Sequence, residues 1–332
     1  MILHLCYSNL TAVGCYRRYR AKHSGGLFIP LIRSADRRVT AAGNESMKQH
    51  PDIPATSSFN APIGVFDSGY GGLTILSELR RRLPQYDYLY LGDNARTPYG
   101  TRSFDVVYRF TLQAVNFLFS RGCPLVILAC NTASAKALRS IQQNDLPRMA
   151  DPSRRVLGVI RPTVEALGAI STTGHIGIFG TQGTVLSRSY DLEIAKLYPS
   201  FTTYSIACPM WVPLIENGEA AGPGADYFVR KYVDALLGSH PDIDTLILGC
   251  THYPLLLDKI RKAVPEHIRI VRQGSLVAES LVDYLERHQA MKERLSTGGS
   301  CRYLTTENPD KFAEMAALFL DKPVSASNVI LT

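Results

Sequence analysis

Residues 63–82 read IGVFDSGYGGLTILSELRRR, and this stretch decides the fold prediction. An apolar run, Ile63–Phe66, is followed by a glycine-rich turn and then by an amphipathic helix candidate, Leu73–Arg82. Similar short β-rich runs and helical stretches alternate along the rest of the chain. Strands that are separated by helices form parallel sheets with helices on both faces, so the pattern predicts an α/β fold.

The same pattern recurs six times after this unit. The predicted strands are Ile63–Phe66, Tyr88–Leu91, Leu125–Ala129, Val156–Val159, Ile176–Phe179, Thr245–Gly249 and Ile268–Val271. A second helix candidate covers Phe104–Arg121. Ligands bind at the carboxyl ends of the strands in parallel sheets, so the residues that directly follow each strand are the candidates for chemistry.

Composition excludes several classes of protein. The formal net charge of the 332 residues is +7, but residues 61–332 carry 28 Lys/Arg against 26 Asp/Glu. We therefore expect no nucleic-acid partner, since binding would need a basic face. The chain lacks the run of about 18 apolar residues that predicts a membrane span. Its seven cysteines form no CxxC pair, so we predict no disulfide framework and no metal site, and we expect a cytoplasmic protein.

Residues 1–60 differ in character from the rest. Hydrophobic periodicity is poor there, and Ser, Arg, Gly and Pro are frequent. We predict a disordered or loosely attached leader. An over-extended start, with Met47 shortly before the first strand, and an organelle transit peptide are the alternatives.

Two segments of the chain resemble each other. LVILACNTAS, residues 125–134, and TLILGCTHYP, residues 245–254, each place a cysteine directly after a predicted strand. Cys130 and Cys250 would thus present two thiols to one cleft, each at a helix N-terminus that favours thiolate. The alternative is that each is a small buried hydrophobic residue. We assign that structural role to Cys6, Cys15, Cys123, Cys208 and Cys301.

Three loops that follow predicted strands offer polar groups. In residues 66–72, Asp67 could receive an ammonium group and Ser68 could bind a carboxylate; the alternative for Asp67 is to cap the helix that begins near Leu73. This loop matches neither dinucleotide-binding nor P-loop motifs, so a nucleotide is not indicated. Residues 93–100 and 180–184 are either further ligand contacts or simple turns.

Six motifs of the chain resemble the glutamate racemases of the aspartate/glutamate racemase family. FDSGYGGLTIL, DNARTPYG, ACNTASA, FGTQGT, CPMWVPLIENGE and GCTHYPLL stand here in the order found in that family. The resemblance begins near Ile63 and runs to the C-terminus. It implies a cofactor-independent isomerase that interconverts L- and D-glutamate. In bacteria, D-glutamate supplies peptidoglycan synthesis, and with it cell-wall biogenesis and cell shape.

The resemblance also implies a domain organisation. Two similar parallel-sheet α/β domains would hold the active site in the cleft between them. The second domain, residues 159–274, would be inserted into the first, which comprises residues 61–158 and 275–332. The small-molecule partner would be glutamate; no membrane partner is expected, and a homodimer is left open.

Residue roles follow from the resemblance, motif by motif. Cys130 and Cys250 would be the catalytic pair, with Glu216 and His252 as helpers near Cys250. The implied substrate-binding residues are Asp67, Ser68, Tyr99, Gly100, Asn131, Thr132, Thr184, Thr251 and His252. Thr181 would be a weaker contact.

Racemisation explains why two cysteines suit this chemistry. A proton leaves one face of the α-carbon and a proton returns to the other, so two groups are needed, one deprotonated and one protonated. The reference pKa of a thiol, about 8.5, lets cysteine fill both roles. Two alternatives remain: a two-cysteine racemase for another substrate such as aspartate, and a non-catalytic protein that binds an acidic metabolite.

Overall fold

A computed structural model describes residues 61–320 and 322–332. The predicted leader, residues 1–60, and the structural assignment of Cys6 and Cys15 lie outside these described residues. The strands are β1 Ile63–Asp67, β2 Tyr88–Gly92, β3 Leu125–Leu128, β4 Arg155–Gly158, β5 His175–Gly180, β6 Thr202–Ala207, β7 Thr245–Gly249, β8 Arg269–Val271, β9 Cys301–Thr305 and β10 Ala326–Asn328.

Helices connect the strands along the described chain. They are α1 Leu73–Arg82, α2 Phe104–Ser120, α3 Asn131–Lys136, α4 Leu138–Ser140, α5 Ile160–Glu165, α6 Leu167–Ile170, α7 Gln182–Ser187, α8 Ser189–Leu197, α9 Trp211–Glu216, α10 Pro223–Ser239, α11 Leu257–Ala263, α12 Gln273–Arg287, α13 Gln289–Lys292 and α14 Pro309–Leu320. None of the helices in the described ranges is long and apolar enough to span a bilayer.

The strands form two sheets. The first sheet has the order β10-β9-β2-β1-β3-β4, and the second has the order β6-β5-β7-β8. Neighbouring strands pair in parallel in both sheets. The predicted fold class, α/β with two parallel sheets, is therefore confirmed.

Burial explains why the central strands were visible in the sequence. Every residue of β1, β2, β3 and β7 is buried, which is why these strands are continuous apolar runs rather than alternating ones. Three strands were not predicted: β6, β9 and β10. Two of them, β6 and β10, lie at sheet edges and have partly exposed, polar sequences, so they lack the apolar signal of a buried strand.

The two sheets draw on different parts of the chain. Strands of the first sheet come from residues 63–158 and 301–328, and those of the second come from residues 175–271. The carboxyl ends of β3 and β7 carry Cys130 and Cys250. The exact domain bounds, near residues 158 and 274, stay a prediction.

Candidate active site

A cavity of about 320 Å³ is lined by residues that follow strands of both sheets. This volume falls within the usual range for small-molecule sites. Its wall is formed by Ser68, Thr97, Pro98, Tyr99, Gly100, Thr101, Cys130, Asn131, Thr132, Thr181, Gln182, Cys208, Pro209, Val212, Pro213, Glu216, Asn217, Cys250, Thr251 and His252. Both cysteines from the repeated motifs therefore border the same space.

Cys130 caps the helix that follows its strand. Its Sγ accepts a hydrogen bond from the backbone N–H of Ala133 at 3.4 Å and lies 3.3 Å from the Ser68 hydroxyl. Burial nevertheless raises the pKa of Cys130 to about 12, and the nearby Asp67 carboxylate adds to the effect, while the bonds from Ser68 and Ala133 oppose it. At this sulfur, the effect of desolvation on the pKa thus outweighs that of the helix N-terminus.

Cys250 has different surroundings. A short 3₁₀ turn, Tyr253–Leu256, follows it, so it does not cap an α-helix as the sequence suggested. Instead its Sγ lies 3.8 Å from Nδ1 of His252, whose Nε2 lies 2.9 Å from Oε1 of Glu216. A row of polar contacts thus runs from the thiol of Cys250 through His252 to the carboxylate of Glu216, which also borders the cavity.

The partners on both sides of the His252 ring raise its pKa. Burial alone lowers its pKa, but the hydrogen bonds with Cys250 and Glu216 and their charges outweigh burial and raise the pKa to about 10.

Gly71 explains how close the first loop comes to the His252 side chain. A Cβ at Gly71 would clash with Nδ1 of His252 and with Oγ1 of Thr251, so only glycine fits there.

Three threonine hydroxyls meet at one side of the cavity. Thr132 Oγ1 lies 2.9 Å from Thr181 Oγ1 and 3.5 Å from Thr184 Oγ1, and Thr181 Oγ1 lies 3.0 Å from Thr184 Oγ1. Nearby, the backbone N–H of Gly183 donates to the carbonyl of Gly100 at 2.7 Å. These contacts join a loop after β2 and a helix after β3 to the N-terminus of helix α7, which follows β5.

Asp67 and Thr184 lie behind the wall rather than on it. Asp67 is only 1% exposed, and its Oδ2 accepts a hydrogen bond from Gly69 N–H at 2.8 Å. Its Oδ1 has no hydrogen-bond partner among the described residues, and burial raises its pKa. The helix α1 begins without a side-chain cap, so the capping role weighed for Asp67 does not account for this carboxylate.

Tyr99 and Gly100 lie on the wall, as the motif comparison implied. The Tyr99 hydroxyl donates to Asp93, and Oδ2 of Asp93 also lies 2.7 Å from Nε of Arg96. A polar cluster thus stabilises this loop. The side chain of Tyr99 is 1% exposed and packs near Phe66 and Phe110.

The sequence of this site matches a known family. The profile of the Asp/Glu/Hydantoin racemase family matches residues 73–281, which is more than half of the chain. The chain belongs to that family.

Individual relatives agree with this family assignment. A glutamate racemase from Roseobacter denitrificans is 42% identical over 275 residues, covering 80% of this chain and 98% of the relative. One from Geobacter metallireducens is 38% identical over 258 residues, covering 78% of this chain and 92% of the relative. The chain is thus an amino-acid racemase, an isomerase.

Solved structures of this racemase family share the fold. Glutamate racemase isoform RacE1 from Bacillus anthracis matches with a TM-score of 0.74 and 34% identity, covering 82% of this chain and 99% of that chain. The enzyme from Francisella tularensis in complex with D-glutamate matches with a TM-score of 0.71 and 32% identity over 82% and 99% of the two chains.

Sequence reasoning missed several residues around this racemase site. Cys208, which we assigned to structure alone, also borders the cavity. Tyr190 and Gln273 are buried next to Asn131 and are hydrogen bonded to it. Cys208 opens the motif CPMWVPLIENGE, but it does not directly follow a predicted strand as Cys130 and Cys250 do, so it was not singled out. A tyrosine within α8 and a glutamine at the start of α12 carry no motif of their own, so only the tertiary structure brings them to the site.

Proposed function

We propose that this racemase interconverts L- and D-glutamate and that Cys130 and Cys250 are its two bases. The observation that supports this most directly is the single cavity bordered by both thiols, each carried by a strand of a different sheet. The relatives named glutamate racemase support the substrate, as does the neighbour solved with D-glutamate.

The reaction uses the two sulfur atoms in turn. One cysteine, as thiolate, takes the α-proton and forms an S–H bond, and the C–H electron pair stays on the α-carbon. The other cysteine, as thiol, gives its proton to the opposite face and becomes the thiolate. The product is the enantiomer, and the two sulfurs have exchanged protonation states. No oxidant or reductant is consumed.

The charge of the bound substrate influences the ionisation of Cys130. Burial raises the pKa of Cys130, which favours the thiol over the thiolate. The ammonium group of a bound amino acid adds a positive charge that favours thiolate beside it. At the other thiol, protonated His252 places an N–H donor beside Sγ of Cys250, while Glu216 holds the imidazole in place.

Polar groups around the cavity provide the binding contacts in this proposal. Ser68, Asn131, Thr132 and Thr251 lie on the wall and can bind the carboxylates or the amine. Donors directed at the α-carboxylate also stabilise the charge that develops when the α-proton leaves. The remaining assigned contacts are Asp67, Tyr99, Gly100, Thr184 and His252, with Thr181 as a weaker one.

The same proposal extends to the biological role and the organisation of the chain. D-glutamate made by this enzyme would serve peptidoglycan synthesis in the cytoplasm, and thereby cell-wall biogenesis and cell shape. Residues 159–274 would form a domain inserted into one built from residues 61–158 and 275–332. Expression of the chain in a bacterium that requires D-glutamate tests the role: growth without D-glutamate supports it, and no growth despite active protein contradicts it.

A racemisation assay with chiral analysis tests the activity. The purified full chain is given L-glutamate, D-glutamate, L-aspartate or L-glutamine without added cofactor. We expect turnover of both glutamate enantiomers and little of the others, because polar groups in the site would be left unpaired by analogues that do not fit. Comparable turnover of aspartate would assign the aspartate alternative, and no turnover of any would favour the binding-protein alternative.

A further inference from the structure

A closed ring of three side chains lies beside the first cysteine. Nδ2 of Asn131 donates to Oε1 of Gln273 at 2.6 Å, Nε2 of Gln273 donates to the Tyr190 hydroxyl at 2.7 Å, and that hydroxyl donates to Oδ1 of Asn131 at 2.8 Å. All three side chains are at most 3% exposed. The ring joins the two sheets, since Asn131 follows β3 and Gln273 follows β8.

The donor-to-acceptor direction of the hydrogen bonds in this ring is set by two oxygen atoms near Gln273 that can only accept a hydrogen bond. Nε2 of Gln273 lies 3.4 Å from the carbonyl of Val159, which has no hydrogen to give. It also lies 3.0 Å from Oγ1 of Thr163, whose own hydrogen goes to the same carbonyl at 2.8 Å. The Gln273 amide must therefore turn its nitrogen towards Val159 and Thr163 and its oxygen towards Asn131.

The fixed amide of Gln273 in turn fixes the amide of Asn131. Oε1 of Gln273 accepts only, so the group of Asn131 that faces it must be Nδ2. Nδ2 carries two hydrogens, and Gln273 takes one of them. Asn131 also borders the cavity, directly after Cys130. If the Asn131 amide were flipped, its oxygen would occupy the present place of Nδ2. That oxygen would repel a carboxylate in the cavity.

We propose that Gln273 is a positioning residue that fixes Asn131 so that its second N–H is offered to a carboxylate of the bound amino acid. This inference rests on the proposed function, since it concerns how the same cavity binds glutamate. Tyr190 cannot set the direction by itself, because a hydroxyl both donates and accepts. Gln273 can, because the two hydrogens of its Nε2 go to Tyr190 and to Thr163, and the hydrogen of Thr163 is already donated to the Val159 carbonyl.

Replacement of Gln273 by methionine tests the proposal. Met has the length of Gln but no amide. In Gln273→Met, the side-chain amide of Asn131 is therefore free to rotate by half a turn and exchange the places of its nitrogen and oxygen. A hydrogen bond to a charged group is then lost, and we expect KM for glutamate to rise about tenfold or more with a smaller change in kcat. A Tyr190→Phe variant, which keeps the Gln273 anchor, should raise KM less.

Gln142→Met is the matched control. Gln142 is an exposed glutamine whose amide also donates to a backbone carbonyl, that of Val156 at 2.7 Å, and it lies away from the cavity wall. We expect Gln142→Met to lower the unfolding midpoint and to leave KM unchanged. An equal rise of KM in both methionine variants would mean that Gln273 acts through general stability, and the proposal would be wrong.

The Asn131→Ala background shows whether Gln273 acts through Asn131. If it does, Asn131→Ala raises KM, and adding Gln273→Met raises it no further. If the rise of KM in the double variant is instead the product of the rises in the two single variants, the two residues act independently and the proposal is wrong. Unchanged KM in Gln273→Met would overturn it as well. The wild type separates this outcome from failure of the proposed function: a wild type that does not racemise glutamate refutes the function, whereas an active wild type with a normal Gln273→Met refutes only the positioning role.

Discussion

Cys130 and Cys250 are the same side chain in unlike surroundings. Ser68 and a backbone N–H meet the sulfur of Cys130, whereas His252 and, behind it, Glu216 accompany Cys250. We expect Cys130→Ala and Cys250→Ala each to abolish racemisation in a protein that stays folded, because each removes one of two indispensable proton carriers. Cys123→Ala, at a buried site away from the cavity, should cost little beyond packing. Chiral assays and circular dichroism of all three variants provide the measurement, and racemase activity in either of the first two would refute the two-cysteine mechanism.

Reaction in heavy water tests whether the two thiols serve opposite faces. The proton delivered to the product comes from the second thiol, which exchanges with solvent, so product should carry deuterium at the α-carbon from the first turnover. Recovered substrate should stay largely protiated early on, because internal return brings back its own hydrogen. Mass spectra of both enantiomers at low conversion give the labels. Equal early labelling of both would indicate a single base or an intermediate open to water.

His252 should make stability depend on pH. Its folded-state pKa of about 10 lies above the ordinary value of 6.5, so the folded protein holds this proton more tightly than the unfolded chain. The resulting stabilisation is complete below pH 6.5 and is lost as the pH rises through about 10. Against a His252→Gln variant, the wild-type advantage in unfolding midpoint should shrink across this interval. A constant difference between the two proteins would contradict the raised pKa.

At the scale of elements, helix α14 reaches the site from the C-terminal part of the chain. The rings of Phe319 and His252 are nearly perpendicular, with centroids 5.5 Å apart, and Phe319 stacks near Tyr70 at 6.4 Å. Phe312, on the same helix, packs near Tyr70 at 5.7 Å and near Tyr90 at 6.1 Å. The helix therefore offers one phenylalanine beside the imidazole and one away from it.

These two phenylalanines form a matched pair for mutation. Phe319→Leu and Phe312→Leu should each destabilise the protein by about 1 kcal/mol, as changes of shape in a packed core do. Only Phe319→Leu should also lower kcat, because it removes the ring that limits rotation of His252. Urea unfolding and steady-state kinetics measure the two effects. Equal losses of kcat would show that α14 contributes stability alone.

The elements show what the sequence could predict and what it could not. The buried strands β1, β2, β3 and β7 were predicted because an all-apolar run is visible without any knowledge of its neighbours. The partly exposed edge strands β6 and β10 were not, since their pairing depends on a neighbour distant in sequence. The same holds for the site: loops that directly follow strands were found, whereas Gln273 and Tyr190 reach Asn131 only through tertiary packing.

At the scale of the whole molecule, the described part of the chain contains both sheets and every residue of the cavity wall. We expect a chain that begins near Pro62 to fold and to retain the activity of the full chain. Residues 1–60 lie outside the described residues, so this expectation rests on the start of β1 at Ile63. Activity and unfolding midpoints of the two proteins provide the comparison. A large loss on truncation would show that residues 1–60 support the folded core or the site.

The unlike surroundings of the two sulfurs have a thermodynamic consequence. Enantiomers have equal free energies in water, so the equilibrium constant of any racemisation is one. The Haldane relation then requires kcat/KM to be the same in both directions, whatever lies beside each thiol. A histidine at one sulfur and a serine at the other can therefore make kcat differ between L and D substrates only if KM differs by the same factor. The asymmetry of the site governs which enantiomer saturates the enzyme first, and it leaves the final ratio of enantiomers untouched.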